Sequence, residues 1–251
     1  DSAVFDLLGE AGWDLCATYR DRKGEPWAQA FSRKREGGRL DVKVSGKLQR
    51  SMRNVCSSLL HVDMLSLWIP GVGKSEEVKQ ITNFRRCVYM RMDLPWPLAK
   101  RDAFVVGYGD IYNDTSAIVY LRSCYDDEFV EERRHWDAQS AKAGNVRMDM
   151  HGAYMIEALS ADVTKVTQTV QFDLKMKNLS PTLQDFLMKN FAAYFLPMMS
   201  KQAGTFEPGG KHAALPAQSP ALYEQLDRRL AGVVLKSEEI TTSPGKRRGT
   251  R

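Results

Sequence analysis

Leu40-Asp41-Val42-Lys43-Val44 alternates apolar and polar residues in strict turn, the period-two signature of a half-buried strand with one wet face. Residues 12–20 and 26–34 read as strands ahead of this one, at 39–46. Asp21–Gly24 and Glu36–Gly38 supply the glycines and charges of hairpin turns, so the three form an antiparallel meander preceded by a short helix over 2–10. The period changes over 47–68. Met52, Val55, Cys56, Leu59 and Leu60, then Met64, Leu67 and Trp68, recur at helical spacing and predict two short helices. Asp63 is placed to cap the second, and Pro70-Gly71 to end it. Strands resume at 77–83, 85–93, 102–112 and 115–125, the last two joined by a turn at Asn113-Asp114.

Residues 126–145 are charged, show no strand alternation and read as a solvated excursion from the domain. Two long strands follow, 146–158 and 164–176, and then a helix over 181–203 with Ser180 as its cap and Pro181 in its first turn. That helix is apolar on nearly every side and should be distorted near Pro197. Beyond 203, Gly204, Pro208, Gly209, Gly210, Pro216 and Pro220 mark a linker; Leu222, Leu226 and Leu230 suit one amphipathic helix over 220–235, and a basic tail ends the chain. The expected organisation is one α+β domain over 1–203 and an appendage over 204–251.

Side-chain parity assigns an interior. On strand 146–158, Val146, Met148, Met150, Tyr154 and Ile156 share the inward face, while Arg147, Asp149, His151 and Glu157 share the other. The same rule turns Val166, Gln168, Val170 and Phe172 inward from 164–176, Met90 and Val88 from 85–93, and Val105 and Gly107 from 102–112. Gln168 is the polar exception and needs a partner, whether protein, water or ligand. From the helix, Leu187, Phe191, Tyr194 and Met198 are expected to face the same space. Its methionines would adapt to an irregular apolar content.

Residues 94–112, LPWPLAKRDAFVVGYGDIY, hold Trp96 between Pro95 and Pro97 and run through Lys100-Arg101-Asp102 into a strand. Together with His151-Gly152, the strand Thr164–Met176, the helix Pro181–Ala203 and Trp68 on an earlier helix, this order resembles the START, or StAR-related lipid-transfer, domain family over residues 1–203. The resemblance implies a helix-grip fold, a long curved antiparallel sheet wrapped around a C-terminal helix with an internal lipid cavity. It implies one bound lipid, phospholipid, sterol or related, moved between membranes without catalysis. The alternative is a lipid-sensing or protein-recruiting module without net transfer. Pro95, Trp96, Pro97 and Lys100 would form the gate and membrane contact, with Arg101, Asp102 and Trp68 as structural residues. Val88 and Gly107 stand where some members place a cavity acid and arginine, so this chain departs from that pattern.

Composition narrows the rival classes. With 251 residues, 43% of them hydrophobic, the chain can bury a substantial core, and no apolar run is long enough to span a bilayer. Five of its cations stand in 236–251 against Glu238 and Glu239 within a net charge of +5, but there is no basic helix with interleaved aromatics, so nucleic acid is not an expected partner. Cys16, Cys56, Cys87 and Cys124 are far apart and read as buried reduced thiols, neither zinc ligands nor a disulfide frame. The four histidines lie in separate segments with no nucleophile motif, so no catalytic or metal residues and no cofactor other than a bound lipid are expected. The expectation is a monomer, cytoplasmic or peripherally and transiently attached to membranes. It begins at Asp1, which leaves a preceding targeting segment, or a longer parent protein, open.

Overall fold

A computed structural model describes residues 12–34, 39–96, 98–124, 129–176 and 180–233. Ten strands make one sheet: β1 (Asp14–Arg20), β2 (Pro26–Lys34), β3 (Arg39–Leu48), β4 (Val72–Thr82), β5 (Arg85–Met92), β6 (Arg101–Asn113), β7 (Ser116–Ser123), β8 (Val146–Arg147), β9 (Asp149–Ala158) and β10 (Thr164–Asp173). Their spatial order is β1-β2-β3-β10-β9-β7-β6-β5-β4, all antiparallel neighbours, with the two-residue β8 alongside β6 in parallel. The sheet is not closed, and β1 and β4 are its edges. The principal helices are α1 (Met52–Leu60), α2 (Leu65–Trp68), α3 (Val130–Lys142), α4 (Pro181–Gly204) and α5 (Pro220–Leu230), with a single helical turn, Leu215–Gln218, just ahead of α5.

The alternating segment around Val42 forms β3 as expected, with Leu40, Val42 and Val44 buried. It pairs with β10 over ten residues in unbroken register, Leu48 facing Thr164 and Arg39 facing Asp173. Against this central strip lies α4, capped by the Ser180 hydroxyl, which accepts from the Leu183 amide at 3.2 Å. Its buried seam is Ala192, Phe195, Leu196, Met199 and Ala203. The helix comes so close to the sheet that a Cβ on Gly46 would lie 2.7 Å from Ala28 Cβ, 2.7 Å from Leu196 Cδ1 and 2.8 Å from the Trp27 carbonyl. Only a glycine fits at that crossing.

The sheet is covered on its other face as well. Cys87 and Tyr89 of β5 and Phe104 and Val106 of β6 point away from α4 and form a second core with Cys124, Phe129 and Trp136. Trp136 belongs to α3 and stacks on Tyr89 with ring centroids 4.1 Å apart. Residues 130–142, expected as a solvated excursion, are therefore a helix docked on the sheet. Its charges face water, and one tryptophan together with polar contacts holds it. The segment after 203 is likewise folded onto the domain: Phe206, Leu222, Tyr223 and Leu226 are buried, the last three in the main core. The expected helix 220–235 is α5, fixed to α1 by an Arg53–Asp227 ion pair at 2.6 Å. The expected helix over 2–10 and the tail after 233 lie outside the described residues.

Smaller corrections follow from the same packing. β4 begins at Val72. The Asp63 carboxylate, expected as a helix cap, accepts instead from the Glu77 amide at 2.6 Å and ties the helical segment to β4. Cys56, Cys87 and Cys124 are buried, whereas Cys16 sits exposed near the β1 edge.

Candidate functional site: an apolar passage between helix and sheet

Between the sheet and the helices α1, α2, α4 and α5 that cover it, the side chains leave three chambers that share lining residues. The central one, of about 90 Å3, lies among Val88 and Met90 of β5, Val105 and Gly107 of β6, Met148, Met150 and Tyr154 from β8–β9, and Gln168, Val170 and Phe172 of β10. A second, of about 190 Å3, shares Met92, Phe172 and Phe191 with it and reaches Leu94, Pro95, Phe186, Leu187 and Asn190. A third, of about 90 Å3, shares Leu59, Val62, Val88, Gly107 and Val119 and reaches Leu226, Arg229 and Leu230 of α5. The passage thus runs from the Pro95-Trp96 turn at one end to α5 at the other.

Parity explains the lining. Residues at alternate positions on β5, β6, β9 and β10 all face α4, and Gly107 contributes no side chain, so the wall recedes where the chambers join. A Cβ on Gly107 would meet only the Tyr120 carbonyl, 4.0 Å away. Charges are confined to the ends: Arg86 bonded to Glu77, Arg229 paired with Asp110 at 2.8 Å, and Asp93 beside Arg91. The central chamber has none, and its polar lining groups are the amide of Gln168 and the phenol of Tyr154. Gln168 Nε2 donates to Tyr154 Oη at 3.3 Å. Burial raises the Tyr154 pKa, so its hydroxyl stays protonated.

Most of the sequence-derived lining residues are gathered here: Val88, Met90, Val105, Gly107, Met148, Met150, Tyr154, Gln168, Val170, Phe172, Leu187 and Phe191 each border a chamber. Val166 is fully buried in the core but borders none of the three. Met198 is half-buried and packs on the same core. Tyr194 is a correction: it is 58% exposed, because α4 turns the seam Phe195-Leu196-Met199 to the sheet and so carries position 194 to the solvent side. Leu59, Met92 and the α5 residues were missed. The apolar spacing of Leu222, Leu226 and Leu230 was their only signal.

Trp96 is 92% exposed on a turn closed by the Leu98 amide bonding to the Pro95 carbonyl at 3.0 Å. Phe186 is exposed beside the same mouth. Lys100 is exposed and within 3.6 Å of Asp93. Pro97 lies outside the described residues. Arg101 is buried, donating to the Leu174 carbonyl at 2.8 Å and to the Ala99 carbonyl at 2.6 Å, which ties the start of β6 to the end of β10. Asp102 is fully buried on the opposite face, accepting from Arg147 Nε at 2.7 Å and Tyr89 Oη at 3.0 Å. Burial opposes its charge, yet hydrogen bonds from Ser140, Arg147 and Tyr89 with the Arg147 charge hold its pKa below the ordinary carboxylate value. The phenol of Tyr89 is pushed up to about 12 by burial and by Asp102. Trp68 is buried against Phe195, centroids 5.6 Å apart. Arg101, Asp102 and Trp68 border none of the three chambers.

No family model matches the chain. No curated protein sequence matches it either. Solved structures do. Human StAR-related lipid transfer protein 5 superposes with a TM-score of 0.64 at 16% identity, covering 82% of this chain and 95% of that one. The chain has the START helix-grip fold. Human STARD10 matches at a TM-score of 0.63 and 16% identity over 89% of this chain and 85% of its own. A STAR-related lipid transfer protein from Xanthomonas axonopodis matches at 0.57 and 18%, over 77% and 99%. These superpositions show the START architecture as a fold.

Proposed function

We propose that the chain binds one lipid molecule in the passage and carries it between membranes without catalysing a reaction. The observation that carries this reading is the row of apolar chambers between the sheet and the helices packed on it. Each methylene withdrawn from water into such a space is worth about 0.8 kcal/mol, enough for an alkyl or ring system to bind without charged anchors. The START fold shared with lipid-transfer proteins of human and bacterial origin supports the same reading.

The chamber walls favour binding over chemistry. They include no histidine, and their one thiol, Cys56, has its pKa pushed up to about 12 by burial, which keeps it un-ionised and unreactive. Entry is assigned to the mouth at Pro95, where Trp96 and Phe186 stand exposed. A tryptophan ring suits the membrane interface, and a peripheral, transient encounter needs no spanning segment; among the described residues no helix is long and apolar enough to cross a membrane. The test is lipid extraction and native mass spectrometry of the purified chain, followed by transfer of a labelled lipid from donor to acceptor vesicles. One lipid per chain and catalytic amounts of protein accelerating transfer are expected. A chain that neither retains nor loads any lipid would overturn the reading, and stoichiometric lipid without transfer would leave a sensing module.

A further inference from the structure

The central chamber contains one unresolved piece of hydrogen-bond accounting. Gln168 is 4% exposed, and its Oε1 is buried with no hydrogen-bond partner. Its Nε2 donates to Tyr154 Oη, which leaves the Tyr154 hydroxyl able to donate within the chamber the two residues line. A buried acceptor without a donor costs on the order of 1–3 kcal/mol, a cost an apolar leucine at 168 would avoid. Among the described residues, Gln168 Oε1 is the only unpartnered buried side-chain acceptor lining the three chambers.

We propose that Gln168 and Tyr154 form a subsite for a neutral hydroxyl on an otherwise apolar lipid, the hydroxyl donating to Gln168 Oε1 and accepting from Tyr154 Oη. A hydroxyl fits because it donates and accepts through one atom. An ether or ester oxygen meets Tyr154 and leaves Gln168 unsatisfied; a phosphodiester or free carboxylate brings a charge into a chamber lined by no cation, where its desolvation is uncompensated. The subsite lies mid-passage, with apolar space on both sides, so the hydroxyl is recognised inside the protein and not at its rim.

This inference rests on the passage being a lipid site, and the experiment separates the two. The full chain, stripped of lipid, is titrated with dehydroergosterol and its methyl ether, with hexadecanol and hexadecyl methyl ether, and with phosphatidylcholine vesicles. The free alcohol of at least one pair is expected to bind roughly tenfold or more tightly than its ether. Gln168→Leu should shrink that ratio to about threefold or less, while Tyr154→Phe, which removes a donor that alcohol and ether both use, should weaken both; cooperative thermal unfolding close to wild type is the control for folding. Equal binding of alcohol and ether, an unchanged ratio in Gln168→Leu, or phosphatidylcholine loading to stoichiometry in preference to either alcohol would overturn the subsite while leaving lipid binding intact. Failure of every probe to load would overturn the binding reading itself.

Discussion

Gly107 offers the sharpest separation of a passage from a solid core. It borders the two chambers that meet behind β6, and a Cβ built there touches nothing nearer than 4.0 Å. In Gly107→Val the added Cβ meets no neighbour closer than 4.0 Å and the two methyls extend from it into the chambers that Gly107 borders. The strand should gain about 0.5–1 kcal/mol from losing a glycine's unfolded-state freedom, raising the melting temperature by roughly 1–4 °C for a domain of this size. The same three carbons would exclude as many as three ligand methylenes from the junction. At about 0.8 kcal/mol each the loss reaches about 2.4 kcal/mol, roughly fiftyfold in affinity. Thermal unfolding and lipid titration on the same preparation read both quantities. Unaltered lipid affinity in a stable Gly107→Val variant would show that ligand does not occupy the junction. A fall in stability instead would mean that the wall is packed shut, as a solid core would be.

Four further outcomes are expected. Gly46→Ala should lower stability by about 1–3 kcal/mol in denaturant titration, because its methyl lands 2.7–2.8 Å from two side chains and a backbone carbonyl; wild-type stability there would mean that α4 does not grip this tightly. Asp102→Asn should cost about 1–3 kcal/mol by the same assay with lipid binding retained, since Arg147 would lose its buried carboxylate and keep only the exposed Asp137; an unchanged midpoint would remove the structural role. Trp96→Ala should slow transfer between vesicles while leaving bound lipid in place, and unchanged transfer would move the docking point elsewhere. The His61 pKa is lowered by burial, next to Tyr223 Oη at 3.0 Å, so the unfolded chain binds that proton more readily. Stability from this group is complete above about pH 6.5 and is lost as pH falls through the lower folded value. A melting temperature declining from pH 7 to 5, and flatter in His61→Gln, is the expected record; identical slopes would rule the group out.

How much of this was legible beforehand depends on what each residue packs against. Strands β3, β9 and β10 bury one face in a regular way, so alternation placed them to within about three residues at their ends and gave the inward set from Met148 to Phe172. The α3 helix left no such trace, because Trp136 and Ser140 are its buried residues and thirteen positions yield no apolar stripe. The even positions of β6, Phe104 and Val106, hinted at a cover for the outer face, but the alternating rule treats a strand as having only one buried side. On α4 the apolar surface is too broad for periodicity to choose a face. The choice fell to the tight crossing at Gly46, which selects Leu196 and leaves Tyr194 outside. Gln168 was visible as an anomaly in its strand, whereas the lack of a partner for its oxygen required three dimensions.

The α3 cover also divides the sheet mechanically. Strands β5 and β6 are clamped between two cores and, with Asp102 anchored to Arg147 beneath them, form a stiff wall. On the far side β1 and β2 end in an unpaired edge, with β1 largely exposed along its length. Amide exchange should therefore divide into a slow block and a fast block across a single continuous sheet. A passage with one rigid jaw can widen only by displacing what lies opposite it. The work of admitting cargo then falls on α4 and the Pro95 turn, and substitutions that stiffen those two elements would slow exchange without altering how tightly the cargo is held.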